Sequence, residues 1–223
     1  PNEISNTSEM FIGTQLFEGL FEKNTEGRII PQLVSNYSLD TINKTYHFHL
    51  HKNRRFSDGS YLTAKDITSC LKTLIDDNNS NEYVKSFTQN IDGFLNYKQK
   101  PNSRKLPQGI ELIDNYTLSI KMKELDPNLF EAFTSHQFWI SKRGSSNKIL
   151  GSGPFKIENT DTDISFNLER NPYFNVEKTE SIFNRINIRF IKNQNALIDE
   201  FLKGSIDVIE YKYSEEEIPA LEL

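Results

Sequence analysis

The chain has 223 residues, of which 36% are hydrophobic, so it is long enough to bury a sizeable core in one large domain or two small ones. Its formal net charge of −5 and its pI near 5.5 argue against a general electrostatic attraction to nucleic acid or to anionic membranes. No apolar run approaches the roughly 20 residues that a membrane-spanning helix needs.

The first third of the chain predicts a helix and a strand, followed by a turn and a capped helix. Apolar residues recur at helical spacing in the first part of 8–21, and residues 45–50 alternate between apolar and polar as in a half-buried strand. The Asp58-Gly59 pair predicts a tight turn. Thr63, followed three residues later by a carboxylate at Asp66, predicts the start of a helix that runs to about Ile75.

The middle of the chain contains a strong hairpin pattern. Two alternating runs, 110–113 and 116–122, flank Asp114-Asn115, a pair typical of a two-residue turn. Asp126 then resembles a helix cap, with Pro127 at the first helical position.

The last third of the chain predicts an α/β arrangement. The Gly-Ser-Gly-Pro stretch at 151–154 predicts a fixed bend at which two backbones approach closely. Strands are expected near 155–159, 163–169 and 185–191, a helix from Gln194 to Leu202 that ends at Gly204, and a final strand at 206–209.

Few residues indicate catalysis or metal binding. No nucleophile elbow, phosphate-binding loop or paired-cysteine site is present, so we expect no enzyme activity and no cofactor. His47, His49 and His51 occupy alternate positions and could form a zinc ladder, but no nearby Cys, Asp or Glu completes it, so we expect a solvent-facing stripe without metal. The single cysteine, Cys70, is expected to be a small buried hydrophobic residue rather than a catalytic thiol.

Seven motifs, taken in order, resemble one bacterial family. They are LFEGLF (16–21), GRIIPQLVSNYS (27–38), TYHFHLHKNRRFSDGSYLTAKDI (45–67), GIELIDNYTLSIKM (109–122), GSGPFKI (151–157), LERNPYF (168–174) and LKGSIDVIE (202–210). Each motif alone is weak, but their common order is a strong signal. The chain therefore resembles the bacterial solute-binding proteins of family 5, which includes the periplasmic oligopeptide- and dipeptide-binding proteins of ABC importers.

The resemblance implies an α/β fold: a periplasmic-binding-protein-like (type II) lobe with an inserted α+β subdomain, truncated before the second lobe. Residues 1–17 and 151–213 are expected to form the central-sheet part of this lobe, and 18–150 the inserted subdomain. Residues 214–223 would be an acidic end that leads to the second lobe. Within this scheme, Asp58, Gly59, Thr63 and Asp66 are architectural rather than catalytic.

The resemblance also implies a function. We expect a solute-binding component of an ABC transport system, most readily for oligopeptides, with a membrane permease as its partner and no nucleic acid. Its location would be periplasmic or extracellular, with a lipid anchor as one option. The main alternative is a ligand-sensing module of a transcriptional regulator or signalling receptor, which would be cytoplasmic in the regulator case. A hydrolase of unknown type ranks below both.

The resemblance points to two places that would contact a ligand. Tyr83 falls where oligopeptide-binding members have a tyrosine that lines the cleft, although a surface aromatic residue after a polar loop is an equal alternative. Ser5, Asn6 and Thr7 align with a segment whose backbone pairs with a bound peptide as an added strand. A disordered end of the chain is the competing interpretation for these three residues.

Overall fold

In the computed structural model, the described residues are 4, 6–77, 81–99, 105–144, 148–162, 165–174 and 183–210. They divide between two compact units. The first unit comprises residues 1–156 and 169–184, and the second comprises 157–168 and 185–223. Residues 214–223, which are predicted to form an acidic end, lie outside the described part of the chain.

The first unit is built on a four-stranded antiparallel sheet. Its strands lie in the order β3-β4-β6-β5 and span Val34–Asp40 (β3), Thr45–Leu50 (β4), Ile110–Asp114 (β5) and Thr117–Lys121 (β6). The predicted hairpin is confirmed, and the Asp114 carboxylate fixes its turn by accepting a 2.7 Å hydrogen bond from the Tyr116 N–H. The predicted alternation in β4 is also confirmed, because Tyr46, Phe48 and Leu50 are buried.

Helices cover the buried face of this sheet. The capped helix is confirmed as α2, Ala64–Asp76, and the Asp66 carboxylate accepts hydrogen bonds from both the backbone N–H and the hydroxyl of Thr63. The other segments are α3 (Glu82–Asn90), α4 (Phe94–Lys98), α5 (Leu129–Ala132) and a 3-10 turn (His136–Phe138). The cap predicted at Asp126 is displaced, because α5 begins after Asn128 and the Asp126 carboxylate instead accepts from the Asn128 N–H.

Aromatic rings fill the space between the sheet and these helices. Phe133 is fully buried and lies 5.3 to 5.8 Å, between ring centroids, from Phe48, Phe87 and Phe138. These three rings come from β4, α3 and the 3-10 turn, and all three meet Phe133 edge to face. Phe133 therefore connects the sheet with two of the segments that cover it.

The amino-terminal part of the first unit lies against the Gly-Ser-Gly-Pro stretch. Its elements are α1 (Thr7–Leu16), β1 (Phe21–Lys23) and β2 (Ile29–Pro31). A separate short antiparallel pair, β7 (Lys142–Arg143) and β8 (Ile149–Leu150), directly precedes the Gly-Ser-Gly-Pro stretch in the chain. The Gly153 N–H donates a 2.9 Å hydrogen bond to the carbonyl of Leu16 at the end of α1. A Cβ atom on Gly151 would lie only 1.9 Å from the same carbonyl oxygen, so the predicted close approach of two backbones is confirmed.

The second unit contains most of a three-stranded sheet and one helix. The strands, in the order β11-β10-β9, are Phe155–Thr162 (β9), Ser165–Arg170 (β10) and Arg185–Arg189 (β11), and the helix is Gln194–Leu202 (α6). An ion pair between Arg189 and Glu200 links β11 to α6 at 2.8 Å. The final strand predicted at 206–209 is wrong, because these residues form no strand and Val208 is largely exposed.

The mixed α/β architecture agrees with the predicted fold class. The family resemblance also implies a division of the lobe into a central-sheet part, residues 1–17 and 151–213, and an inserted subdomain, residues 18–150. This division stays a prediction. Across the described part of the chain, every helix is too short or too polar to cross a membrane.

Candidate functional site

The first predicted ligand-binding segment leads into helix α1. Asn6 is the N-cap of this helix: its backbone is extended, and its side-chain oxygen accepts a 2.9 Å hydrogen bond from the Glu9 N–H. Thr7 is the first helical residue and is exposed, whereas Ser5 lies outside the described residues. The backbone of Asn6 itself is therefore extended, as in a strand, and the helical conformation begins at Thr7.

Helix α1 packs closely against Trp139. A Cβ atom built on Gly13 would lie 2.4 Å from the Trp139 ring and 2.9 Å from the Ile4 side chain, so α1 approaches both groups closely at this glycine. Trp139 is 9% exposed and also stacks on Phe17, with ring centroids 6.3 Å apart. The absence of a side chain at position 13 thus lets α1 approach both the Trp139 ring and Ile4.

Tyr83, the second predicted position, lies in the first turn of α3. The Asn81 side chain caps this helix by accepting from the N–H groups of Tyr83 and Val84. Val84 and Phe87 are buried, while Tyr83 is 65% exposed. The tyrosine ring is therefore accessible on a helix that is anchored from its other side.

Residues 136–139 lie between these two places. Phe138 packs on Phe87, one turn after Tyr83 in α3, and Trp139 packs on Phe17 just after α1. The ring centroids of His136 and Trp139 are 6.2 Å apart, with the rings edge to face. Partial burial lowers the pKa of the His136 imidazole below its usual value. Sequence reasoning missed His136 and Trp139, although the single tryptophan of the chain, three residues after a histidine, was the available signal.

Only two of the three clustered histidines, His47 and His49, lie within strand β4. His47 and His49 lie in β4 on the face opposite the buried aromatic residues, and His49 Nδ1 is 3.3 Å from the Thr117 hydroxyl. His51 follows the end of β4, and its N–H donates to the Leu33 carbonyl. Among the described residues, no group of three or more His, Cys, Asp or Glu side chains is arranged to hold a metal ion.

We therefore expect zinc titration to give no stoichiometric site of sub-micromolar affinity. Across the sheet, His47 lies opposite Ser38 and Ser119, and His49 lies opposite Asn36 and Thr117. None of these four neighbours is a usual zinc ligand, so the two imidazoles lack the further ligands that a tetrahedral site requires. Isothermal titration with ZnCl2 measures this directly. A tight one-to-one site that His49→Ala abolishes would contradict the expectation.

Cys70 lies in α2 and packs against the core. Its Sγ donates a hydrogen bond to the Ser141 carbonyl at 3.1 Å, and burial raises the pKa of the thiol. A raised pKa reduces the thiolate fraction, which is the opposite of what a nucleophilic cysteine needs.

Comparison with known proteins places these features in a wider context. The family described as bacterial extracellular solute-binding proteins, family 5 Middle, matches residues 28–222. The periplasmic oligopeptide-binding protein OppA of Haemophilus influenzae is 23% identical over 240 aligned residues that cover 100% of this chain and 43% of the relative. OppA of Escherichia coli is 26% identical over 224 residues, covering 93% of this chain and 40% of that protein.

Solved structures show the same fold. The crystal structure of Haemophilus influenzae OppA in complex with the peptide RPPGFSPFR matches with a TM-score of 0.80 at 22% identity, covering 100% of this chain and 45% of that one. The unliganded open form of the periplasmic murein tripeptide-binding protein MppA matches with a TM-score of 0.74 at 19% identity, covering 92% and 41% of the two chains. The chain thus spans less than half the length of these proteins.

Proposed function

This chain belongs to the bacterial extracellular solute-binding proteins, family 5, and from that premise we propose that it forms part of an oligopeptide-binding component of an ABC importer. The observation that carries the proposal is the family match over residues 28–222. It is supported by relatives that are named oligopeptide-binding proteins. The proposal is one of binding without catalysis, and it places the protein in the periplasm or outside the cell, with a membrane permease as its partner and a lipid anchor as one means of retention.

We propose that the segment ending at Asn6 and the ring of Tyr83 contact the peptide. The extended backbone at Asn6 supports β-augmentation, in which main-chain hydrogen bonds supply affinity without regard to side-chain identity. Ser5 and Thr7 flank this position, and their share in binding rests on the family resemblance. An exposed tyrosine supplies a broad amphipathic surface at a small cost in side-chain entropy.

In a cleft between two lobes, which the resemblance implies, this chain supplies one wall. Closure of the second lobe over a peptide would exclude water from both sides of it and strengthen each polar contact. Association must offset roughly 4–15 kcal/mol of lost rigid-body freedom, which favours a design with two walls. We therefore expect the isolated 223-residue chain to bind peptide more weakly than a family member with both lobes.

The proposal is tested by identifying what the natural protein carries. The protein is purified from its source without denaturation, and the small molecules released by acid are analysed by mass spectrometry. Peptides present in near-stoichiometric amount support the proposal. A single non-peptide solute, together with no binding in a calorimetric titration with a peptide library, would contradict it.

Replacing Tyr83 with alanine is expected to weaken peptide binding by the natural protein roughly tenfold, the loss of one exposed aromatic contact. Because the ring is 65% exposed, the free energy of unfolding should change by less than about 0.5 kcal/mol. Isothermal titration and urea denaturation measure the two quantities. Tyr61→Ala is the control for affinity, since Tyr61 is a tyrosine with 50% exposure and has no proposed contact with ligand. It is not a control for stability, because the Arg55 guanidinium lies 4.2 Å from the centroid of its ring. Equal affinities for both variants would remove Tyr83 from the site.

A further inference from the structure

The junction between residues 16–22 and 151–153 contains a buried carboxyl group. Glu18 follows α1 and is 2% exposed, and its carbonyl accepts a hydrogen bond from the Ile140 N–H. The neighbouring Gly19 donates its N–H to the side chain of Gln32 at 2.7 Å. The backbone around Glu18 is therefore fixed by partners from other parts of the chain, and its side chain is almost completely shielded from solvent.

The side chain of Glu18 is poorly compensated for a charged group. Its Oε1 lies 3.7 Å from Arg54 Nη1, which is beyond hydrogen-bonding distance. Within the described part of the chain, neither Glu18 Oε2 nor the buried Ser152 Oγ has a hydrogen bond of standard geometry, although the Ser152 hydroxyl lies close enough to act on the carboxyl. A buried carboxylate with one unpartnered oxygen carries a large desolvation cost, whereas the neutral acid carries its own donor.

We propose that Glu18 is a pH-sensitive link at this junction: as a neutral acid it stabilises the contact between residues 16–22 and 151–153, and as a carboxylate it weakens that contact. The neutral acid can donate its proton to the hydroxyl oxygen of Ser152, which gives both orphaned atoms a partner. The carboxylate form is stabilised by the positive charge of Arg54 and by a hydrogen bond donated from the Ser152 hydroxyl.

The electrostatic environment supports this assignment. Burial raises the pKa of Glu18 from 4.5 to about 7, an effect only partly offset by the Arg54 guanidinium and the Ser152 hydroxyl. Glu22 is the other charged group that acts on Glu18, and it raises the pKa further. Glu22 accepts a 3.0 Å hydrogen bond from Gln32 Nε2, and its own pKa is raised by burial. The two carboxyl groups therefore share the single positive charge of Arg54.

The direction of the pH effect follows from these values. Between about pH 4.5 and pH 7, the folded protein retains a proton on Glu18 that the unfolded chain has released. The stabilisation is therefore fully present below pH 4.5 and is lost as the pH rises through about 7. Glu22 acts in the same direction, whereas the lowered pKa of His136 acts in the opposite one. A comparison with a Glu18 variant separates the contribution of this group.

The experiment is urea denaturation of the 223-residue chain at intervals between pH 4.5 and pH 8. The folding equilibrium constant of the wild type should fall roughly a hundredfold more over this range than that of Glu18→Gln, or about 3 kcal/mol at 1.36 kcal/mol per tenfold change. Glu111→Gln, at an exposed glutamate of β5, is the control and should follow the wild type. The protection factors of the Ile140 and Gly153 amides, which are corrected for the base-catalysed rise of intrinsic exchange, should fall at high pH in the wild type but not in Glu18→Gln.

A second measurement covers the case in which Glu18→Gln fails to fold. The side-chain carboxyl carbon of Glu18 in the ¹³C-labelled wild type is followed by NMR against pH. A midpoint well above the usual glutamate range supports the proposal. A midpoint near 4.5, or parallel denaturation curves for the wild type and Glu18→Gln, would overturn it.

Discussion

Phe133→Ala is expected to lower the free energy of unfolding by about 3–5 kcal/mol, the range for removal of a fully buried phenylalanine. The side chain is 0% exposed and meets rings from β4, α3 and the 3-10 turn at centroid distances below 6 Å. Its removal leaves a cavity between segments that are themselves anchored, so collapse of the neighbours can recover only part of the loss. Urea denaturation followed by circular dichroism measures the change.

Phe11→Ala is the matched control for this prediction. Phe11 is also a phenylalanine, but it is 53% exposed on α1. Its replacement should change the stability by less than about 1 kcal/mol, because little apolar area is withdrawn from water in the folded state. Similar losses for the two variants would show that Phe133 is not at the centre of the core.

Gly151→Ala is expected to cost about 3 kcal/mol or more, because the new methyl group has no space. Its Cβ would lie 1.9 Å from the Leu16 carbonyl oxygen and 2.7 Å from the Phe17 ring. The nearest of these atoms is backbone at the end of α1, so a rotamer change cannot relieve the clash. Relief requires movement of α1 away from residues 151–153, which would also break the hydrogen bond from Gly153 to Leu16.

Gly144→Ala tests whether the cost comes from the clash or from glycine itself. A Cβ on Gly144 would lie 3.0 Å from a methyl group of Leu150, the flexible end of a side chain. We expect this variant to stay within about 1 kcal/mol of the wild type. Thermal denaturation of both variants provides the comparison, and a Gly151→Ala protein as stable as Gly144→Ala would contradict the close packing of the two segments.

The family resemblance could be recognised from the sequence because its motifs carry backbone constraints. The Asp58-Gly59 turn needs a left-handed residue, and Gly59 has φ +85°. The glycines at 151 and 153 are required by close approach to Leu16, a contact that no neighbour in sequence explains.

The candidate site was less accessible to sequence reasoning. Tyr83 and Asn6 were identified through the family pattern, and their roles as ligand contacts stay predictions. The ring of Trp139 beneath Gly13 and the position of His136 beside it were not anticipated. The contacts of Trp139 with Gly13 and Phe17 join residues more than 100 positions apart in the chain, so no local pattern records them.

The sequence by itself determined the local elements of this protein: the cap at Thr63, the hairpin at Asp114 and the end of α6 at Gly204. Each of these depends on interactions within a few residues, which composition and spacing record directly. The tertiary structure alone decided that Glu18 is buried, and that residues 206–209 form no strand despite their alternation. The physical reason is that burial and strand pairing require partners distant in sequence, and a period of two indicates only that a segment could pair.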